Sequence, residues 1–165
     1  MTRPQFLLVD VGGTFCRFGV GDSHDPAILS HHVLRVQDYA TFEDALVHYL
    51  SLSHHRPVDL RAASIAIAAP VDADVMRLMN SSWQISRQSL MRRYQLEQVE
   101  FINDFEALAW SLKSLDTLTW QSLFNQFESV DAIEKNILVV GPGTGLGVAA
   151  LMNARGPMGK PLGSV

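Results

Sequence analysis

The sequence predicts an α/β protein, because short apolar runs with strand character alternate with segments whose apolar residues recur at helical spacing. Two observations support this prediction. Apolar runs at 5–11 and 62–69 have the length of buried strands, and a segment with helical spacing lies between them. A glycine-containing turn between two apolar runs also occurs twice, at 12–13 and at 141–147. This order of strands and helices is typical of an α/β fold.

The first apolar run predicts a strand over 5–11, buried on both faces, which returns as a second strand after Gly12 and Gly13. Asp10 lies where the first strand ends, and a buried carboxylate is costly unless it is paired or holds a metal. Backbone N–H groups beside a carboxylate suit a metal-bound polyphosphate, with the amides on the phosphate oxygens and Asp10 orienting the cation through water. An ordinary hairpin explains the same residues equally well, so both interpretations stay open.

Apolar spacing and capping residues predict the next elements. The predicted elements are a third strand over 28–36, a helix from 42 to about 54, strands over 62–69 and 75–79, and a helix from about 87 to 94. Thr41 begins the first helix, since Asp44 follows three residues later as in a capping box. Pro57 disfavours its continuation, and Ser86 is expected to cap the second helix.

A polar cluster beside an aromatic residue, formed by Asn80, Ser81, Ser82 and Trp83, has two interpretations. Its amide and hydroxyl groups suit hydrogen bonding to a hydroxylated ligand, with Trp83 packed against that ligand. A capped loop followed by a core tryptophan explains the same residues. From the residues alone, the capped loop is the preferred interpretation.

A second candidate site follows a strand predicted over 99–102. Asn103 and Asp104 stand where this strand meets a helix that should continue to about residue 113. A helix cap needs only one such residue, and ligands of open α/β sheets bind at the carboxyl ends of the strands. The pair therefore predicts either a plain helix cap or a ligand site.

The second glycine turn repeats the arrangement of the first. After a less regular segment that includes a short amphipathic helix near 120–127, a buried strand over 137–140 leads into the turn at 141–147 and a returning strand over 148–152. Each turn alone is a hairpin. A pair of them can hold a polyphosphate from two sides.

Composition narrows the classes of function. The chain has 165 residues, 47% of them hydrophobic, and a net charge of −4, so a core is expected and nucleic acid is not the expected partner. Cys16 is the only cysteine, which excludes an intrachain disulfide, fits a reducing compartment and suits a small buried residue. The sequence has no signal-peptide-like region and no run of transmembrane length. We therefore expect a soluble, cytoplasmic protein without a membrane partner.

Three blocks of this sequence together resemble the bacterial glucokinase family, within the hexokinase, actin and Hsp70-ATPase superfamily. The blocks are Asp10-Val11-Gly12-Gly13-Thr14 with Arg17, the run 101–109 around Asn103 and Asp104, and the run 141–147. Their order and spacing also resemble the family, as does the loop at 80–83. The resemblance covers nearly the whole chain. It implies a ribonuclease H-like (actin-like ATPase) small lobe over 1–112, with a mixed five-stranded sheet flanked by helices, and the first strands of a truncated large lobe over 113–165.

The resemblance also implies the site residues, with ATP and Mg²⁺ as cofactors and glucose as the hexose. Asp104 matches the catalytic base, while Asn103, Asp104 and Asn80 match sugar-side positions. The residues that match the phosphate motifs are Asp10, Gly12, Gly13 and Thr14 in the first block and Gly143, Thr144 and Gly145 in the third. Asp10 would hold Mg²⁺ through water. Phe15 stands where the family usually has asparagine.

The implied activity is that of a glucokinase-type hexose kinase, which converts ATP and D-glucose to ADP and D-glucose 6-phosphate. Because the family's chain continues beyond this point, the resemblance implies an N-terminal portion, and the expected assembly is a homodimer or a self-associating fragment. The alternative is a non-catalytic sugar- or nucleotide-binding module or a degenerate kinase remnant. A sugar-responsive transcription regulator is disfavoured, since the sequence has neither a basic face nor a Cys-rich zinc motif.

Overall fold

The computed structural model describes residues 4–22, 25–69, 71, 73–78, 81–112, 136–142 and 146–152. The chain divides into two compact units, Met1–Asp104 and Phe105–Val165. The lobes expected over 1–112 and 113–165 stay a prediction.

The elements described up to residue 111 are seven strands and three α-helices, with two short 3₁₀ helices at Val36–Asp38 and Pro57–Asp59. The strands are β1 (Gln5–Val11), β2 (Phe15–Asp22), β3 (Asp25–Arg35), β4 (Leu60–Ile67), β5 (Val75–Arg77), β6 (Gln84–Ser86) and β7 (Gln98–Asn103). The helices are α1 (Phe42–Ser53), α2 (Arg87–Tyr94) and α3 (Asp104–Ser111).

Five of these strands form one sheet in the order β3-β2-β1-β4-β7. β1 pairs antiparallel with β2 and parallel with β4, and β4 pairs parallel with β7. The mixed five-stranded sheet flanked by helices is therefore confirmed. β5 and β6 form a separate two-stranded sheet, a pairing that the apolar pattern of 75–79 did not predict.

The two faces of β1 differ in burial. Leu7, Val9 and Val11 are buried in one core cluster with side chains of α1 and α2. Phe6 and Leu8, on the opposite face, are only half-buried. The expectation that β1 is buried on both faces is therefore wrong for the second face, because the described core packs against one face of the strand.

α1 begins at the predicted residue. The Thr41 hydroxyl accepts a hydrogen bond from the Asp44 N–H at 3.1 Å, and the Asp44 carboxylate accepts one from the Thr41 N–H at 3.1 Å. This capping box satisfies two N–H groups that the helix would otherwise leave unpaired. Tyr49 is one of the buried residues of α1, and its ring stacks on that of Phe18 in β2 with 5.1 Å between the ring centroids.

Trp83 belongs to the core. Its side chain is 1% exposed and meets the Phe42 ring edge-on at 5.9 Å between centroids. The indole Nε1–H donates to the Tyr39 carbonyl at 3.0 Å. The Ser81 hydroxyl accepts from the Trp83 N–H at 3.2 Å, which caps the loop locally. The cap and the core position of Trp83 are therefore confirmed, and its burial excludes packing of its ring against a ligand. Hydrogen bonding of the polar groups of this loop to a ligand stays a prediction.

Several element ends differ from the predicted ones by a few residues. β3 begins at Asp25 rather than 28, because its pairing with β2 extends to Asp25, which lies opposite Asp22. β4 runs from Leu60 to Ile67 rather than over 62–69, and the Ala69 N–H turns back to the Ile67 carbonyl at 2.8 Å. Ser86 caps α2 as predicted, since its hydroxyl accepts from the Ser89 N–H at 3.2 Å. The short helix expected near 120–127 lies outside the described residues.

The second unit contains an antiparallel hairpin of β8 (Ile137–Pro142) and β9 (Leu146–Leu151). Both strands were predicted, and each extends further toward the glycine turn than the apolar run alone indicated. Every second residue along these strands lies on one face of the hairpin, and Leu138, Val140 and Val148 on that face are exposed. The other face is half-buried or buried. The expectation of a buried strand over 137–140 is therefore wrong for the first face, where Leu138 and Val140 are exposed.

Cys16 has the structural role expected of it. The side chain is fully buried beside Val11, its register partner on β1. Burial raises the pKa of the thiol well above its usual range, and the nearby Asp10 carboxylate raises it further. The thiol therefore stays protonated, and a protonated thiol is a poor nucleophile.

Among the described residues, no helix is both long and apolar enough to cross a bilayer.

Candidate functional site

The first glycine turn is a two-residue loop that closes the β1–β2 hairpin. The Gly12 N–H donates to the Phe15 carbonyl at 3.0 Å, which leaves Gly13 and Thr14 as the loop. A Cβ on Gly12 would lie 3.1 Å from the Phe15 carbonyl oxygen, so a side chain there would crowd the backbone. The Thr14 carbonyl accepts from the Val36 N–H at 3.0 Å, which ties the turn to the end of β3. Gly13 and Thr14 are thus exposed on a turn held from two sides.

Asp10 stands beside this turn and is paired with a cation. It lies opposite Arg17 in the β1–β2 register, and the Arg17 Nη1 donates to the Asp10 Oδ2 at 2.8 Å. Both side chains are about half exposed, at 46% for Asp10 and 49% for Arg17. Since exposed ion pairs contribute only about 0–1 kcal/mol, this pair adds little to stability and remains open to a competing ligand.

The carboxylate fits a magnesium ion that arrives with a phosphate. No cluster of three or more His, Cys, Asp or Glu side chains suited to a metal occurs within the described part of the chain. Mg²⁺ rarely needs such a cage, because it keeps several waters and takes one or two carboxylates together with the phosphates of the substrate. Asp10, half exposed at the turn, meets that requirement.

The parallel strands bring the two predicted sites to one end of the sheet. Val11 of β1 is level with Ile67 of β4, and Ile67 is level with Asn103 of β7. Gly12 and Asp104 are each one residue beyond this level. Because neighbouring strands lie about 4.8 Å apart, the backbone of Asp104 lies roughly 10 Å from that of Gly12 across β4. The first and second motif blocks therefore lie at the same end of the sheet, at the carboxyl ends of the parallel strands.

A cavity of about 380 Å³ opens beside the first glycine turn. Its lining residues are Gly13, Thr14, Val36, Gln37, Tyr39, Ser81 and Ser82. The hydrogen bond from the Trp83 indole to the Tyr39 carbonyl fixes one wall against the core. The Tyr39 hydroxyl is hydrogen-bonded to His48 Nδ1. Gln37 and Tyr39 were not predicted as site residues, because nothing in their local sequence marks them.

The described residues thus contain part of the predicted site. Asp10, Gly12, Gly13 and Thr14 lie together at the first turn, and Asn103 and Asp104 share their end of the sheet. Asn103 is the last residue of β7, and Asp104 is the first residue of α3. The other predicted residues, which are Asn80, Gly143, Thr144 and Gly145, lie outside the described residues.

A family model described as Glucokinase matches residues 7–162, which is nearly the whole chain. The chain belongs to the glucokinase family. This match confirms the family resemblance that the three motif blocks indicate.

Individual relatives in the glucokinase family agree with this assignment. The chain is 33% identical over 149 residues to a glucokinase of Brucella suis biovar 1 (strain 1330), covering 90% of this chain and 42% of the relative. It is 33% identical over 154 residues to a glucokinase of Hahella chejuensis (strain KCTC 2396), covering 92% of this chain and 46% of the relative. The chain therefore spans less than half the length of the relatives that it matches.

Solved structures confirm the fold of the glucokinase family. A glucokinase from an Antarctic psychrotroph matches with a TM-score of 0.69 and 31% identity, covering 89% of this chain and 46% of that one. A ROK family glucokinase from Streptomyces griseus, solved with glucose and AMPPNP, matches with a TM-score of 0.61 over 94% of this chain and 47% of that one. At 24% identity, this second match supports the fold alone. The actin-like ATPase fold predicted for the chain is confirmed.

Proposed function

We propose that this chain forms the sugar- and first phosphate-binding part of a hexose kinase, which transfers the terminal phosphoryl group of ATP to glucose with Asp104 as general base. The strongest support is the strand register, in which Val11 of β1, Ile67 of β4 and Asn103 of β7 lie side by side. From this register, the backbones of Gly12 in the first glycine turn and of Asp104 lie roughly 10 Å apart at one end of the sheet. That spacing leaves room for a sugar hydroxyl and the phosphate that it attacks.

β4 ends between the two motifs without a large side chain. Ala68 and Ala69 follow Ile67, and Ala68 is exposed. The small residues at the end of β4 therefore support a ligand that bridges the two motifs.

Asp104 would take the proton of the attacking sugar hydroxyl. A carboxylate held within hydrogen-bond reach of that hydroxyl accepts its proton as the oxygen attacks, which is general base catalysis. Asp104 is the first residue of α3 and directly follows Asn103, the last residue of β7. Asn103, with an amide that both donates and accepts, is suited to hold a neighbouring hydroxyl and so to orient the sugar.

The first glycine turn would bind the phosphates. Gly13 and Thr14 are exposed at the turn, where their backbone amides would bind the oxygens of a polyphosphate, and Asp10 would hold Mg²⁺ through water. Mg²⁺, when bound, would neutralise the charge that develops on the phosphoryl oxygens. Arg17, which already lies 2.8 Å from Asp10, would place a fixed cation beside the same phosphates.

One observation favours the alternative of a non-catalytic binding module. Phe15 is 39% exposed immediately after Thr14, where an asparagine is usual in the family. An apolar ring at this position cannot donate a hydrogen bond to a phosphate. A module of this kind would bind glucose or MgATP without transferring phosphate.

The deciding experiment measures glucose 6-phosphate formed from glucose and MgATP by the complete gene product. We expect product to accumulate with ADP in equal amounts, and we expect none when EDTA removes Mg²⁺. Binding of both substrates by calorimetry without any product would favour the binding module. Absence of binding of either substrate would contradict both functions.

The phosphate role of Asp10 gives a separate prediction. The Asp10→Asn substitution should raise the Kd of this chain for MgATP by roughly tenfold or more, since a hydrogen bond to a charged group contributes about 1.5–3 kcal/mol. The melting temperature should change little, because the Asp10 and Arg17 pair is exposed. Isothermal titration with MgATP, with and without EDTA, measures the effect.

Asp59→Asn is the matched control for this prediction. Asp59 also pairs with an arginine, Arg56, at 2.9 Å, but it directly precedes β4 and so lies at the opposite end of that strand from Ile67. Its substitution should leave the Kd for MgATP unchanged. Equal Kd values for the wild type and Asp10→Asn would remove Asp10 from the proposed site.

A further inference from the structure

The Phe105 ring fills a space that two glycines leave open on the β8–β9 hairpin. Gly141 and Gly147 face each other across the two strands. A Cβ on Gly141 would lie 2.6 Å from both Cε1 and Cζ of Phe105. A Cβ on Gly147 would overlap the Cε2 and Cζ atoms of the same ring. All three residues belong to the same compact unit.

Packing of an aromatic ring on a glycine pair has a physical basis in β-sheets. Glycine within a strand has no side chain to pack and leaves its backbone open, which weakens the strand. A ring laid over the pair restores the missing contacts and covers the backbone, as in the aromatic rescue used in designed sheets. The close approach therefore requires glycine at both positions.

The ring contacts the hairpin at the end nearest its turn. Gly141 and Gly147 are one pair away from Pro142 and Leu146, the last register pair before residues 143–145. The hairpin face that includes the two glycines is half-buried or buried, whereas Leu138, Val140 and Leu146 on the other face are 52–70% exposed. Among the described residues, the contacts at this end of the hairpin therefore lie on a single face.

We propose that Phe105 is a positioning residue, whose ring, seated on Gly141 and Gly147, holds the strand ends that bracket the second glycine turn. The inference rests on the proposed function in one respect: the run 141–147 resembles the second phosphate motif of the family, so this turn would contact the nucleotide of the proposed kinase. Phe105 directly follows Asp104 in α3, so the contact lies one residue from the proposed base. Loss of the ring should therefore weaken nucleotide binding and leave the sugar contacts of Asn103 in place.

Three variants of this chain test the packing of the Phe105 ring on the two glycines. Phe105→Ala removes the ring, Gly147→Ala places a Cβ where the ring lies, and Phe105→Ala/Gly147→Ala combines the two changes. Each single change should raise the Kd for MgATP by roughly tenfold. A change of this size is within the range of interaction energies measured between residues in contact. The double variant should bind MgATP several-fold more tightly than Gly147→Ala, because the added methyl group then occupies vacated space. A merely additive double variant would overturn the inference.

Two further readouts separate positioning from general loss of structure. The Kd for glucose should stay the same in all three variants, and Leu108→Ala, which changes a 47% exposed residue of the same helix, should leave both Kd values unchanged. Hydrogen exchange of the amides in 137–142 and 146–151 should quicken in each single variant and slow again in the double variant. Exchange is independent of any ligand.

The outcomes distinguish this inference from the proposed function. Unchanged MgATP binding and unchanged hairpin exchange in Phe105→Ala would overturn the inference while the proposed function stands. Failure of the wild-type chain to bind MgATP would contradict the proposed function and the nucleotide part of the inference with it. In that case the exchange rates test the packing of the Phe105 ring on Gly141 and Gly147. Faster exchange in the single variants that is reversed in the double variant supports this packing, and unchanged exchange overturns the inference.

Discussion

Replacing Asp104 by asparagine is expected to lower kcat for glucose phosphorylation by about 10²–10⁴-fold in the complete gene product, while the Kd for glucose changes little. Asparagine keeps the shape of the side chain and its hydrogen bonds to a sugar hydroxyl, but an amide does not accept the proton of that hydroxyl. The loss should therefore fall on the transition state alone, and kcat and kcat/KM should decrease by the same factor. Steady-state kinetics and calorimetric titration with glucose measure the two quantities.

Glu100→Gln provides the matched control. Glu100 is an exposed carboxylate on β7, three residues before the end of that strand at Asn103, so its substitution removes the same charge away from the proposed site. Its kcat should equal that of the wild type. A near-normal kcat in Asp104→Asn would assign the base to another group, and a large rise in the glucose Kd would make Asp104 a binding residue rather than a base.

The elements that the sequence predicted well are those set by local interactions. The capping box of Thr41 and Asp44 spans three residues, so the start of α1 is determined within one turn of helix. Ser86 caps α2 in the same way. The apolar run of β1 and the glycine turn after it are equally local, and both lie where the pattern predicted them.

Features that depend on contacts between distant residues were not predictable in this way. The cavity beside the first turn requires Tyr39 to meet Trp83, which is 44 residues further along the chain. The position of Phe105 on Gly141 and Gly147 likewise depends on tertiary packing. Spacing along the chain carries no signal for either contact, because each joins elements whose approach is set by the whole core.

The ion pair of Asp10 and Arg17 is an intermediate case. A two-residue loop at Gly13 and Thr14 fixes the register of β1 and β2, and this register places Asp10 opposite Arg17. The pairing therefore follows from the loop length once that length is known. The sequence motif contained both residues, but the number of loop residues had to come from the structure.

The Trp83→Ala substitution should lower the free energy of unfolding by about 3–5 kcal/mol, the range found when a large buried aromatic residue is truncated. Trp83 is the largest of the fully buried side chains described, and its removal leaves a void against Phe42 that the surrounding strands cannot fill by rotamer changes alone. It also leaves the Tyr39 carbonyl without its indole donor. Urea denaturation followed by far-UV circular dichroism measures the change.

Trp83→Phe separates the two contributions. Phenylalanine keeps much of the ring volume but cannot donate to the Tyr39 carbonyl, so the part of the loss due to the hydrogen bond should be about 1 kcal/mol. Trp110→Ala, which truncates a 39% exposed tryptophan on α3, controls for the loss of an aromatic ring as such and should cost much less. A loss below about 1 kcal/mol in Trp83→Ala would contradict its place in the core.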